Sequence, residues 1–508
     1  MNKTSKQSWL PLILVALSTF IIILDSTFMN VSISQLIIDL NTSMGTVRTI
    51  ITFYTLTTAS LMLIGARLQD IIGKKKIFLI GAVIYGIGAT IASLSINAPM
   101  LFIGWSVLEG IGGALMTPAA LSIISGTYDG DKRTFALAIN SALAGIAAAM
   151  GPLFGGFVTT FLSWRAGFVI ELLIIVFILV FYKKIKTFPT SLSKSDFDKG
   201  GSLLSIIGLV ILILGIISID SNYSSYSFIF IIVAIGILIG FTYYEKKLKK
   251  NNSVPLLDMD MVSEHNLKYG TIVRLITNVA VGGSLYAISV FLQSILKLSA
   301  FATGLAVLPL TVGLLLSSIL APKLAIKTSH KKIIITGFII AIIGTFLLKY
   351  NFGLNTNVVD LIPGLGVLGI GLGFVMSLTI DIALNGTDKE KESNASGFIS
   401  TGQTLGTSIG TAIIGTILIV GAVGGLHDAI NIYYPDQISN QEFHENSELY
   451  IQKLSHTNLS NHQDDEIAHI ADITIHDAMK LVIDVTTIFL VIGLIATLVL
   501  NDKKKKNT

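Results

Sequence analysis

Asp25 and Glu109 are carboxylic acids set in stretches that are otherwise apolar, Asp25 directly after the run Leu10 to Leu24 and Glu109 between Trp105 and Leu115. A carboxylate in hydrocarbon costs about 2.5 to 3.5 kcal/mol on insertion scales, so such a group normally faces a cavity and carries function. Both acids are expected to line one central cavity, to exchange protons between two sides of a membrane and to bind a cationic ligand. The structural alternative is that Asp25 hydrogen-bonds Thr27 or Asn30 and only fixes helix packing. Glu171, Arg274, Asn278, Gln293, Asp381 and Asp484 are further polar residues inside apolar stretches. Arg274, Asp381 and Asp484 fall close enough to the stretch ends for their charges to snorkel into water.

The elements that must position these groups follow from composition. Of 508 residues, 52% are hydrophobic and 13% charged, against about a quarter charged in a soluble domain. The apolar residues gather in continuous runs of roughly 20, the length of a membrane-crossing helix. A transmembrane β-barrel would need alternating polarity instead. The chain has no cysteine, which excludes disulfides and thiolate metal sites. It offers no basic face on a soluble module, so nucleic acid is not an expected partner. The first apolar run follows Lys3 and Lys6 and reads as a first span rather than a cleaved signal.

Runs and breaks give fourteen candidate spans: 10–32, 47–68, 76–96, 99–124, 134–161, 164–183, 201–220, 226–245, 267–296, 302–323, 331–350, 357–385, 394–421 and 479–501. Most of the 35 basic residues then fall on one side, including Lys74 to Lys76, Lys246 to Lys250 and Lys503 to Lys506. The positive-inside rule makes that side cytoplasmic and puts both termini there. Gly65 to Gly81 aligns without a gap on Ala321 to Gly337, so that Arg67 meets Lys323, Lys75 meets Lys331, Lys76 meets Lys332 and Gly81 meets Gly337. Both segments join two spans, and they lie eight spans apart. Two six-helix halves with two helices inserted between them would give that separation.

Several segments carry a resemblance to the major facilitator superfamily, and within it to the fourteen-spanner drug:proton antiporters of the EmrB/QacA type. Gly65, Asp70, Gly73, Lys74 and Lys75 resemble the G-x-x-x-D-x-x-G-[RK]-[RK] loop after the second helix. Asp70 is expected to cap the next helix or pair with a cation, and Gly73 to allow a tight turn. The resemblance implies a conformational latch there. Gly145, Gly151, Pro152, Gly155 and Gly156 resemble the antiporter signature of the fifth helix. Leu24, Asp25, Thr27, Asn30 and Val31 are similar to the first-helix signature, and Ser163, Trp164, Arg165 and Phe168 to the segment before helix six, with Glu171 replacing its Asn. The family's helix-four Arg is absent: Ser106 takes its place and Glu109 that of its Gln.

The resemblance implies an all-α membrane fold divided into a six-helix bundle (1–185), two inserted helices with linkers (186–265) and a second six-helix bundle (266–508). It implies a monomeric secondary exporter in a bacterial plasma membrane, moving amphipathic or cationic small molecules against protons by alternating access. The proton-coupling and substrate residues would be Asp25, Glu109, Asn30 and Glu171, with no cofactor and no metal. Export of a lipid or fatty acid by the same fold is the alternative, favoured by the missing Arg and the scarcity of charge inside the bundle. No phosphate-binding loop, nucleophile elbow or H-E-x-x-H occurs, so an enzyme is not expected. The cavity wall is expected to be apolar and aromatic. Residues 422–478 read as an extracellular loop holding six of the eight histidines, where His462, His469 and His476 recur every seven residues beside Asp465 and Asp472. That pattern is either a solvated helix or hairpin, or a metal or acid sensor.

Overall fold

The computed structural model describes residues 8–128, 130–190, 192–220, 224–251, 253–384, 392–433 and 465–501, and these form helices and turns with no strand. In chain order the long helices are α1 (Leu10–Phe28), α2 (Met44–Ile72), α3 (Lys74–Ser93), α4 (Ala98–Thr127), α5 (Gly130–Phe161), α6 (Trp164–Val180) and α7 (Lys199–Ile217). They continue as α8 (Ser224–Lys250), α9 (His265–Ile295), α10 (Ala300–Lys327), α11 (His330–Leu348), α12 (Val358–Ala383), α13 (Glu392–Tyr433) and α14 (Asp465–Val499). A helix therefore covers each of the fourteen expected stretches, and twelve of them are individually long and apolar enough to cross a membrane. The remaining two, α5 and α6, meet that test only as a pair bent by 118° between Phe161 and Trp164.

Helix starts are written locally. Ser43, Asn97, Ser163, Asp198, Ser299 and Ser329 each accept a backbone N–H of the first turn, as capping residues do. Gly73 separates α2 from α3 at φ +106°, a conformation that a side chain strains. It is itself the N-cap of α3 without any side-chain contact, so Asp70 does not cap that helix as expected.

Two regions of contact join the first helices to the last: α5 packs on α10, and α2 packs on α13. The pair α7–α8 lies beside this arrangement, α7 touching α2 and α13 and α8 packing on α7. Phe228, Ile232 and Tyr243 of α8 are exposed, as suits a helix facing lipid. The sequence repeat has a structural counterpart. Lys75 donates to the Ile185 carbonyl just past α6, at 2.7 Å. Its aligned partner Lys331 donates to the Leu498 and Leu500 carbonyls at the end of α14, at 2.7 and 2.9 Å. Each loop lysine thus binds carbonyls at or just past a helix end, Lys75 beyond α6 and Lys331 at α14, as cations favour helix C-termini.

The expected loop 422–478 is partly helical. α13 runs to Tyr433 and α14 begins at Asp465, because their polar turns continue the helices beyond the apolar cores. His462 lies outside the described residues. Asp472 accepts the Leu354 N–H at 2.7 Å, and the His476 Nδ1 lies 3.1 Å from the Phe352 carbonyl. Both side chains therefore hold the α11–α12 connection.

Candidate functional site

Asp25 on α1, Glu109 on α4 and Glu171 on α6 converge. One carboxyl oxygen from each lies within 4.8 Å of the others, and all three residues are fully buried. The Trp105 Nε1–H donates to Asp25 Oδ2 at 2.8 Å, and the Tyr85 hydroxyl donates to Glu171 Oε2 at 2.9 Å. Both Glu109 oxygens, Asp25 Oδ1 and Glu171 Oε1 have no hydrogen-bond partner. Buried polar atoms are seldom left so. Among the described residues no Lys or Arg pairs with any of the three. Ser106, in the place of the family's Arg, donates to the Ile50 carbonyl at 2.7 Å.

Helix geometry explains the convergence. Phe102–Glu109 is a π-helical stretch inside α4, the kind of local rewinding that often marks functional positions. It carries Trp105 and Glu109 on one side, one turn apart. Gly88 of α3 makes room for them: a Cβ there would lie 2.8 Å from Glu109 Cγ and 2.6 Å from the Gly104 carbonyl oxygen. Trp105 stacks on Tyr54 with ring centroids 5.2 Å apart, and Phe168 meets the Trp105 edge at 6.1 Å.

This placement corrects the first expectation. Asp25 and Glu109 do not line the central cavity. Asp25 also bonds neither Thr27 nor Asn30, since the Thr27 hydroxyl and Asn30 amide donate to backbone carbonyls of α1. The cavity itself, about 260 Å³, lies between α1, α2, α4 and α5 on one side and α9, α10, α12 and α13 on the other. Asn30 and Tyr54 line it, and Tyr54 is its one aromatic residue among the described residues. The wall is aliphatic and studded with hydroxyls and amides, such as Thr58, Asn140, Asn278 and Gln403, rather than aromatic. Tyr54 and Trp105 therefore stand between the cavity and the three acids.

The expected antiporter residues pack as a seam. On α5, a Cβ at Gly151 would meet Thr27 Oγ1 at 1.8 Å, one at Gly155 the Phe28 carbonyl oxygen at 2.4 Å, and one at Gly156 the Ala300 carbonyl oxygen at 2.5 Å. The carbonyl of Pro152 occupies the matching space at Gly304 of α10. Gly145 falls on the same helix. Gly155→Leu should lower the thermal unfolding midpoint of the detergent-purified protein, because forcing atoms into a packed contact costs about 1 to 3 kcal/mol. An unchanged midpoint would show that α1 and α5 do not approach so closely.

The latch residues sit where α2 meets α3. Gly65 lets α2 cross α4, since a Cβ would lie 2.4 Å from the Ala114 carbonyl oxygen. Lys74 and Lys75 place their ammonium groups over the Phe188 and Tyr182 rings. The Asp70 carbonyl accepts the Leu192 N–H at 3.1 Å. Contact across to the later part of the chain comes from Arg67, which donates to the Pro255 and Leu256 carbonyls. Arg274 is not snorkelling. It is 7% exposed and donates to Gln403 Oε1 and the Met376 carbonyl. Asp484 pairs with Lys349 at 2.6 Å, Gln293 bonds the Ser34 N–H and Asn30 carbonyl, and Asp381 is exposed.

Trp105, Tyr54 and Tyr85 were not among the expected site residues. Trp105 had a signal, since it lies one helical turn before Glu109. The two tyrosines come from other helices, and nothing in their sequence spacing points to the acids.

A cavity thus lies between two groups of helices, most of them long and apolar enough to cross a membrane, with buried acids behind one wall. The sequence model of the Major Facilitator Superfamily matches residues 15–411, and the chain belongs to that family. It is 28% identical to the probable actinorhodin transporter of Streptomyces coelicolor, over 79% of this chain and 71% of that protein. It is 26% identical to the multidrug transporter protein MdtP of Bacillus subtilis, over 82% and 77%, and 25% identical to the multidrug efflux pump LfrA of Mycolicibacterium smegmatis, over 82% of each. A solved bacterial homologue of the human lysosomal transporter Spinster, inward-facing and unoccupied, shares the fold at TM-score 0.62 and 14% identity, over 98% of both chains.

Proposed function

We propose that the chain is a drug:proton antiporter of the fourteen-helix EmrB/QacA type, exporting amphipathic small molecules by alternating access. It works as a monomer in a bacterial plasma membrane, with both termini cytoplasmic. Residues 1–185 and 266–508 form the two rocking bundles, and 186–265 the inserted pair. The observation that carries the reading is the trio Asp25, Glu109 and Glu171, held within 4.8 Å behind Tyr54 with four carboxyl oxygens unpartnered. Like charges at that spacing repel, so the trio keeps at least one proton among its members. Substrate pressing on Tyr54 moves Trp105 and with it the Asp25 contact, which couples cavity occupancy to proton release. Asn30 acts on the substrate side, in the cavity wall. The lipid-export alternative leaned on the missing Arg and on a scarcity of charge inside the bundle; Ser106 does stand in the place of that Arg, and the clustering of the three acids weakens the second ground.

Three carboxyl oxygens so spaced are also the donor set of a hard cation such as Mg²⁺ or Ca²⁺, which the sequence did not foreshadow. Proteoliposomes loaded with a panel of dyes and drugs under an imposed pH gradient separate the two. Export that follows the gradient and survives EDTA is expected. Export indifferent to the gradient, or dependent on added divalent cation, would overturn proton coupling.

A further inference from the structure

Among the described residues the cavity has no Asp, Glu, Lys, Arg or His in its wall, so a cationic substrate would meet no carboxylate there. One layer behind the wall, on the side of α9, sits the Arg274 guanidinium. Its partners Gln403 and Met376 are themselves wall residues, as is Asn278, whose amide donates to the Arg274 carbonyl at 2.8 Å. Arg274 uses three N–H donors, two to Gln403 Oε1 at 3.0 and 2.6 Å and one to the Met376 carbonyl. A guanidinium has five. No carboxylate pairs with it among the described residues. Buried charges are normally paired, or face a space that supplies the partner. On the opposite side the three acids are sealed behind Tyr54 and Trp105, so their charge does not compensate that of Arg274.

We infer that the cavity selects amphipathic substrates bearing an anionic group, a carboxylate or acidic phenol, which docks against Gln403 and takes the two spare donors of Arg274. The inference rests on the export reading and narrows its substrate class. The side chain of Gln403 holds the Nε–Nη2 edge of the guanidinium, so a charged oxygen meets the remaining hydrogens of Nη1 and Nη2. Charge-assisted, bidentate contacts of this kind are the stronger ones. An uncharged amphiphile keeps the hydroxyl and amide contacts of the wall but gains nothing from Arg274.

Equilibrium dialysis of the nanodisc-held full chain against pyrenebutyrate, its methyl ester and ethidium tests this, with empty nanodiscs as the blank. Pyrenebutyrate should bind about tenfold more tightly than the ester, the margin of a charged hydrogen bond, and ethidium least. Arg274→Gln should erase the difference between acid and ester, and Arg274→Lys should keep the preference. Equal binding of acid and ester by the unsubstituted protein, tighter binding of ethidium, or parallel loss of both pyrenes in Arg274→Gln would each overturn the inference. Should Arg274→Gln fail to fold, the unsubstituted protein and Arg274→Lys still decide. Failure of all three probes to bind above the blank would instead remove the cavity from the export reading as a whole.

Discussion

Asp25→Asn and Glu109→Gln should each reduce gradient-driven export by about 100-fold, the scale on which a positioned proton carrier acts, while both proteins remain folded and still exchange substrate down its own gradient. The substitutions keep shape and remove titration. The amide introduced by Asp25→Asn would still offer an oxygen to the Trp105 Nε1–H, which reaches Asp25 Oδ2 at 2.8 Å, so the packing of α1 on α4 should survive. Glu109 faces the other two acids of the cluster, and Gln keeps its shape there. Glu171→Gln should give a smaller loss, since its Oε2 already serves the Tyr85 hydroxyl and Gln can accept the same bond. The readout is dye movement in proteoliposomes with and without the imposed gradient. Gradient-driven export at the unsubstituted rate in Asp25→Asn or Glu109→Gln would remove that residue from coupling, and loss of downhill exchange as well would make its role structural.

How far the sequence reaches is clear from these same residues. Asp25 and Glu109 stood out because each interrupts an apolar run, and hydrocarbon tolerates a carboxylate only for a reason. That they meet Glu171 depends on close helix contacts at glycines, α3 on α4 at Gly88 and Gly104 and α6 on α1 at Gly167. Contacts between distant stretches leave no period in one chain. The helices were legible from runs of apolar residues, and the repeat from the alignment of Lys75 with Lys331, each of which binds a carbonyl at or past a helix end. Hydropathy failed where a helix becomes polar. The first turns of α14 carry Asp472 and His476, which hold the α11–α12 connection, so they read as loop. The cavity wall was misread for a related reason: threonine on an apolar helix can satisfy its own hydroxyl on the backbone, as Thr58 does on the Tyr54 carbonyl. Such residues hide among aliphatic neighbours until the fold shows which of them face inward.

Locking α2 to α13 should stop transport altogether. At the end of the bundle that holds the basic loops, a Cβ on Gly397 would lie 4.0 Å from the Ala66 Cβ, inside the Cβ–Cβ range of about 3.5 to 4.5 Å that a disulfide spans. The chain has no cysteine of its own, so Ala66→Cys with Gly397→Cys creates a single possible pair. The neighbourhood is built to close: Ile64 of α2 packs with Ala395 and Ile399 of α13 and with Leu256 and Leu257 of the linker, and Arg67 reaches the carbonyls of that linker. If the two halves must part here to load substrate from the cytoplasm, oxidising the pair should bring export to the level of empty liposomes, and dithiothreitol should restore it. The single-cysteine proteins control for the substitutions themselves. Substrate binding from the opposite side should persist in the oxidised protein, because the cross-link leaves the cavity wall untouched. Full export by a protein shown on a gel to be completely cross-linked would mean that α2 and α13 move as one body at this end, and the rocking of one bundle against the other would have to be relocated or abandoned.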